Sequence, residues 1–305
     1  MAASKPIRIK SITEGHRMMG LPSPAHPLIS VLNYTDLQLP PDTTELSVML
    51  DFYYISMKRG FSNKLFYGQQ TYDFDEGMMY FIAPNQLLRG AGPSPEDDLS
   101  GWVLLIHPDF LWGTSLATTI KKYGFFSYAV NEALFLSDKE ETIINGIVNN
   151  IKAEYQSNID KFSQDIIISH LETLLNYSER FYQRQFITRK ISNHRILDRL
   201  EQLLSDYFNS DDLVAKGLPT VQYISESLNV SATYLRSMLK TLTGQNTQQH
   251  IHNKLIEKAK EKLSATNLSI SEIAYELGFE HSQSFSKFFR SKTNLSPLQF
   301  RASFN

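Results

Sequence analysis

The spacing of apolar positions changes along this chain and predicts two kinds of structure. LSVMLDFYYISM (Leu46–Met57) is β-branched and aromatic with short alternations, and KLFYGQQTYDF (Lys64–Phe74) alternates more clearly. GMMYFIAP (Gly77–Pro84) and GWVLLIHP (Gly101–Pro108) are short apolar runs closed by proline. Gly60, Asp75-Glu76-Gly77 and GAGPSPEDD (Gly90–Asp98) punctuate them. Alternation over a few residues between turn formers marks strands. Many short strands, here over about 30–130, predict a closed or double-layered β domain. From Asp138 the step lengthens to three and four residues. Ser137-Asp138 caps a helix with Ile143, Ile144, Ile147, Val148, Ile151 and Tyr155 on one face. A second helix, Lys161 to about Gln185, repeats the step through Phe162, Ile166, Ile167, Leu171, Leu174, Leu175 and Phe181, so the pair covers about 138–186. Its apolar surface serves packing on the β domain, contact with a second copy of the chain, or both.

The C-terminal part repeats itself. VQYISESLNVSATYLRSMLKTLTG (Val221–Gly244) and ISEIAYELGFEHSQSFSKFFRSKTN (Ile270–Asn294) each read as a short helix ending at Leu, then Asn229 or Gly278. Asn and Gly tolerate the left-handed conformation that closes a helix. Val230 or Phe279 follows and pins the turn, and Ser231 or His281-Ser282 opens the next helix. That helix has an inner face, Tyr234, Leu235, Met238, Leu239 and Leu242 in the first copy, Phe285, Phe288 and Phe289 in the second. Its outer face is polar or basic. A lone unit of this kind reads as an ordinary helical hairpin; two in register read as helix, tight turn, exposed recognition helix. Between them Thr247–Leu263 forms a rod with Ile251, Leu255, Ala259 and Leu263 as its stripe. Its length, about 25 Å at ~1.5 Å per residue, is of the order of one turn of duplex DNA, about 34 Å.

Composition sharpens the division. Ten of the 12 prolines lie at or before Pro108, and none lies between Asp109 and Leu218, so the middle is free to be helical. Eighteen of the 36 aromatic residues lie between Tyr34 and Tyr128. The chain of 305 residues carries a net charge of −2, but Gly217–Asn305 holds ten Lys and Arg against six Asp and Glu, a net +4. A basic tail on an acidic remainder points to an anionic partner for the tail. There are no cysteines, which excludes disulfides and thiolate chemistry. No apolar run reaches the ~18 residues of a membrane helix, and MAASKPIRIK lacks a secretory signal, so a cytoplasmic protein without membrane contact is expected.

The motif ISEIAYELGFEHSQSFSKFFRSKTNLSPLQFR (Ile270–Arg301), supported by SATYLRSMLKTLTG, resembles the AraC/XylS family of transcription regulators, over about Ile196–Arg301. The resemblance implies a seven-helix DNA-binding domain with two helix-turn-helix units, first helix Ile196–Phe208 and last Ser296–Phe300. It departs from the family at Asn294, where glycine is frequent, and at Leu255, where arginine is frequent beside Lys254. By position it implies DNA contacts at Ala232, Thr233, Arg236, Ser237 and Lys240, and at Ser282, Gln283, Ser286, Lys287 and Arg290. Arg236, Gln283 and Lys287 are expected at base edges, since arginine pairs with guanine and glutamine with adenine. Lys240 and Arg290 are expected at phosphates, as are the helix starts at Thr220-Val221 and Ser296-Pro297.

The resemblance also implies a front half built as a cupin-like β barrel that binds a small effector, followed by helices that dimerise. The expected architecture is therefore α+β with two domains: a cupin-like sensor and dimerisation domain over 1–190 with its helical pair, then an all-α DNA-binding domain over 191–305, with a hinge around Arg189–His194. Aromatic candidates for an effector pocket are Tyr53, Tyr67, Tyr72, Tyr80 and Trp102, each also suited to core packing. Expected partners are double-stranded DNA, a second copy of the chain, a small-molecule effector and RNA polymerase. The competing reading, a cupin-type metal enzyme fused to a DNA-binding tail, needs a histidine pair on the strands. The front half offers only unpaired His16, His26 and His107, and His250-Ile251-His252 sits on the rod with its imidazoles diverging, so neither metal nor cofactor nor catalytic residues are expected. A third reading is a regulator gated by a protein partner.

Overall fold

A computed structural model describes residues 6–37, 47–59, 66–67, 70–71, 77–89, 100–129, 132–157, 160–188, 190–210 and 212–303. The chain divides into two compact units, Met1–Gln185 and Phe186–Asn305. That division falls inside a helix, five residues before the boundary expected from sequence.

The first unit runs β1 (Ile7–Ile9), α1 (Ile12–Met18), β2 (Ile29–Asn33), β3 (Ser47–Leu50), β4 (Tyr53–Arg59), β5 (Phe66–Tyr67), β6 (Gln70–Thr71), β7 (Gly77–Ile82), β8 (Leu87–Arg89), β9 (Ser100–Ile106), α2 (Leu116–Thr119), β10 (Leu134–Leu136), α3 (Asp138–Gln156) and α4 (Ser163–Thr188). The apolar run that sequence reads as one strand, Leu46–Met57, breaks at Asp51-Phe52. The Asp51 carboxylate accepts from Arg8 Nε at 2.8 Å, and its backbone N–H donates to Ile9 O at 3.0 Å. Phe52 is buried. β3 thereby joins a three-stranded sheet, β1-β3-β8, while β4 becomes the centre of a five-stranded antiparallel sheet, β10-β7-β4-β9-β2. The aromatic stretch after Pro108 is not strand either. It forms 3-10 turns (Pro108–Leu111, Ile120–Lys122, Gly124–Ser127) around α2, which pack Phe125 against Phe81.

Register decides what each face of the larger sheet carries. Ile55 opposes Leu104 and Met57 opposes Trp102, so these share one face; Ser56 opposes Val103 and Tyr80 on the other. The first face meets the helices. Trp102 Nε1 donates to Asn145 on α3 at 2.8 Å, and Phe81 lies against Tyr182 of α4. On the second, Val103 and Leu105 pack with Ile9, Ile12 and Phe52. Burying an aliphatic or aromatic side chain of this size contributes about 1.5–3 kcal/mol, so the two layers hold the sheet from both sides.

Sheet edges leave backbone donors and acceptors without a strand partner. Here the helical pair serves both edges. On β2, Val31 O accepts from Tyr155 of α3 at 3.5 Å. On β10, Gln185 of α4 accepts from Phe135 N–H at 2.8 Å and donates to Ala133 O at 3.1 Å. A capping box at Ser137 and Glu140 opens α3, and Arg184 of α4 reaches Glu140 at 3.0 Å. Arg59 of β4 closes the far side on Glu141 at 2.7 Å.

The second unit is helical: α5 (Lys190–Asn209), α6 (Asp212–Lys216), α7 (Val221–Leu228), α8 (Ala232–Thr243), α9 (Thr247–Ala265), α10 (Ile270–Glu276), α11 (Ser282–Thr293) and α12 (Pro297–Ala302). This exceeds the implied seven by the single-turn α6. Residue 189 lies outside the described residues, and the expected hinge is helical from Lys190 onward.

Candidate nucleic-acid interface

The two repeats fold to the same local geometry. α7 ends at Asn229 with φ 56°, and the Val230 N–H returns to Ser225 O at 3.0 Å. After α10, Gly278 has φ 78°, and the Phe279 N–H returns to Ala274 O at 2.9 Å. In both, a left-handed residue lets the next N–H reach back five residues, as in a Schellman closure. Gly278 is further constrained: a Cβ there would sit 2.8 Å from Leu213 O. Asn294, in the family's glycine position, holds φ 63° at the end of α11.

The turns aim α8 and α11 outward. Tyr234, Leu235, Met238 and Leu239 of α8 are buried, as are Phe285 and Phe289 of α11, while Leu242 and Phe288 are half-buried. Of the sequence-predicted contacts, Arg236, Lys240, Gln283, Lys287 and Arg290 are exposed; Ala232, Thr233, Ser237, Ser282 and Ser286 are half-buried on the same outer faces. Lys240 Nζ donates to Gly244 O at 2.7 Å, closing the carbonyl end of its own helix. Being exposed, that bond exchanges readily for one to an anion. Ser231 caps α8 by accepting from Tyr234 N–H at 3.1 Å. His281 stands at the start of α11 without a side-chain cap bond.

α9 separates the pair. Its 19 residues span about 28 Å at ~1.5 Å each. Ile251, Leu255, Ala259 and Leu263 are all buried, so Leu255 is core rather than a DNA-facing position. Lys254 pairs with Glu257 at 3.6 Å. His250 joins α9 to Thr243 at 3.0 Å and to Glu201 of α5 at 3.4 Å. Arg301 of α12, which sequence reasoning left without a role, donates to Leu263 O at 3.2 Å and Leu268 O at 2.7 Å, closing the end of the rod. The helix starts expected to hold phosphate each carry a side-chain cap. Thr220 accepts from Tyr223 N–H, and Ser296 and Gln299 form a capping box.

His252 lies edge-on to Phe288 with its pKa lowered, first by burial and then by Lys292. A depressed histidine pKa means the unfolded chain takes up the proton first. This site therefore removes stability as the pH falls through the unfolded value, about 6.5. Lys292→Gln is expected to raise the His252 pKa, read from imidazole shifts in an NMR titration.

The effector candidates divide. Tyr53 packs on Phe126 and Trp102 bonds Asn145, both on the helix side of the sheet. Tyr80 points to the opposite side, where Lys58 Nζ lies 5.6 Å from its ring and 5.1 Å from that of Tyr34. Tyr34 and Tyr54 share a hydroxyl hydrogen bond of 2.9 Å there. The five candidates thus do not form one group. Tyr67 is described only in its backbone, and Tyr72 lies outside the described residues. Period-two alternation held the signal for Tyr54 and Lys58, but only the pairing register shows that they share a face with Tyr80.

A model described as "Helix-turn-helix domain" matches residues 224–303. The second unit carries an AraC-type helix-turn-helix domain. Over 116 residues the chain is 30% identical to an HTH-type transcriptional regulator in the cgkA 5′ region of Pseudoalteromonas carrageenovora, covering 38% of this chain and 64% of that protein. It is 33% identical over 78 residues to the HTH-type transcriptional activator RhaS of Escherichia coli, covering 26% of this chain and 28% of that protein. The chain therefore spans less than two thirds of these curated relatives. Among solved structures, the C-terminal domain of AraT, a response regulator from Geobacillus stearothermophilus, is 32% identical, covers 35% of this chain and 84% of that one, and superposes with a TM-score of 0.31. The matched residues 224–303 contain the rod, the second repeat and the first repeat from Ile224 onward.

Proposed function

We propose that this chain is a sequence-specific DNA-binding transcription regulator, in which α8 and α11 enter successive major grooves of one duplex. The observation that carries this reading is the pair of turns with matching hydrogen bonds, each presenting an exposed, basic helix face. Arg236 and Gln283 read base edges, with Lys287 beside them; Lys240 and Arg290 neutralise phosphates. The N-terminal domain, 1–190, acts as a cupin-like sensor built on its three- and five-stranded sheets. The Tyr34, Tyr54, Lys58 and Tyr80 side of the larger sheet takes the effector. Ile143, Phe162 and Ile166, exposed on or beside the helical pair, support its reading as a dimer surface. The effector acts by binding one arrangement of the dimer better than another. RNA polymerase is the partner through which a regulator of this kind acts on transcription.

The test is binding of full-length protein to a duplex it selects from a random pool. Gln283→Ala is expected to cost about 1–3 kcal/mol at one base pair and relax its identity. Lys240→Ala is expected to weaken all sequences alike and lower the salt slope by about one. A footprint and salt slope unchanged in both variants would refute the assignment of these faces.

A further inference from the structure

We propose that a cavity lined by α3, the start of α4 and the turn after β9 is a binding site for a small amphipathic amine, separate from the sheet face assigned to the effector. The cavity measures about 320 Å³, inside the ~300–1,000 Å³ range of small-molecule sites. Its apolar lining comes from Leu28, Phe110, Tyr155 and Ile167, the last three buried. Gln164 Nε2 fixes one wall by donating to Phe110 O at 2.8 Å, which leaves its carbonyl oxygen as an acceptor.

The polar groups favour a cation. Asp109, whose carboxylate also lies 3.4 Å from His107 Nδ1, and Asp160 line the cavity, and Lys161 is the one lysine or arginine among the described lining residues. Asp160 opens α4: its Oδ1 accepts from Phe162 N–H at 2.8 Å and Ser163 N–H at 3.1 Å. The bonds that the Asp160 carboxylate accepts from described residues all fall on Oδ1, so Oδ2 is oriented but uncommitted. His26 adds no charge when neutral. Its Nδ1 accepts from Leu28 N–H at 3.1 Å, which places the proton on Nε2, and burial lowers its pKa. The described lining residues thus sum to one negative charge, offer acceptors, and include Phe110 and Tyr155, rings of the kind that attract organic ammonium groups. An ammonium on the carboxylates with an apolar body on Phe110, Tyr155 and Ile167 satisfies both halves.

Calorimetric titration of the full chain with phenethylamine and with 3-phenylpropionate, two probes of similar body and opposite charge, tests the site without DNA. Phenethylamine is expected to bind saturably in the millimolar range or tighter, and 3-phenylpropionate at least roughly tenfold more weakly. Asp109→Asn with Asp160→Asn is expected to weaken phenethylamine roughly tenfold or more; asparagine caps a helix as well as aspartate, so α4 keeps its start. Lys161→Ala, at an exposed position, is expected to hold or tighten phenethylamine binding. Equal binding of both probes, no saturable phenethylamine binding, indifference to the paired Asn changes, or loss of binding in Lys161→Ala would each overturn the proposal.

Discussion

Gly278→Ala is expected to destabilise the AraC-type domain by about 2–4 kcal/mol. The φ of 78° places Gly278 where an L side chain costs roughly 1–2 kcal/mol by itself. The remainder comes from contact. The added Cβ would stand 2.8 Å from Leu213 O and 3.2 Å from Gly217 Cα, both backbone atoms that cannot rotate away. Relief requires α6 and the turn before α11 to separate, which loosens the seating of Phe279 on Phe285. Thermal melting of the variant should show the loss, and duplex binding should fall with it. Asn229→Ala offers an internal comparison. Its residue is also left-handed, at φ 56°, but it is exposed and already carries a Cβ, so only asparagine's preference for this conformation over alanine is lost and the expected cost is below about 1 kcal/mol. A loss in Gly278→Ala no larger than the roughly 1–2 kcal/mol of left-handed strain would show that close approach contributes nothing there.

Gln185→Leu is expected to destabilise the first unit by about 2–4 kcal/mol. The change keeps the side chain's approximate size but removes the acceptor for Phe135 N–H and the donor to Ala133 O. Gln185 is fully buried, so water does not take its place. A buried polar group that loses its partner costs about 1–3 kcal/mol, and two lose one here. β10 should open first, because it is an edge strand whose open side Gln185 serves. Hydrogen exchange at the Phe135 amide is the direct measurement. Protection at wild-type level there would mean that the edge is held by something else.

These two residues mark how far the sequence could be read. Gly278 was legible because its role is local: Leu277, Gly278 and Phe279 contain the helix end, the left-handed turn and the apolar pin. The same holds for Asn229, for the Ser231 cap and for the outer faces of α8 and α11, whose 3.6-residue period sorts Arg236 from Leu235 without knowledge of the rest. Leu255 was placed on the buried stripe for the same reason. Gln185 had no such signal. A glutamine near the end of an amphipathic helix reads as surface until Phe135, fifty residues earlier, is known to lie beside it.

The strand region shows the same limit. Alternation marked Leu46–Met57 as extended, yet the break at Asp51 depends on Arg8 and Ile9 far upstream. Tyr53, Tyr80 and Trp102 were grouped by type, while register separated them onto two faces.

By itself the sequence determined the C-terminal helices, their turns and the faces they turn outward, because capping, left-handed closure and helical period act over fewer than ten residues. Only the tertiary structure decided which strands share a sheet, which glutamine serves an edge and where a cavity with two carboxylates forms. Those outcomes rest on pairings between distant residues, and no short-range pattern encodes them.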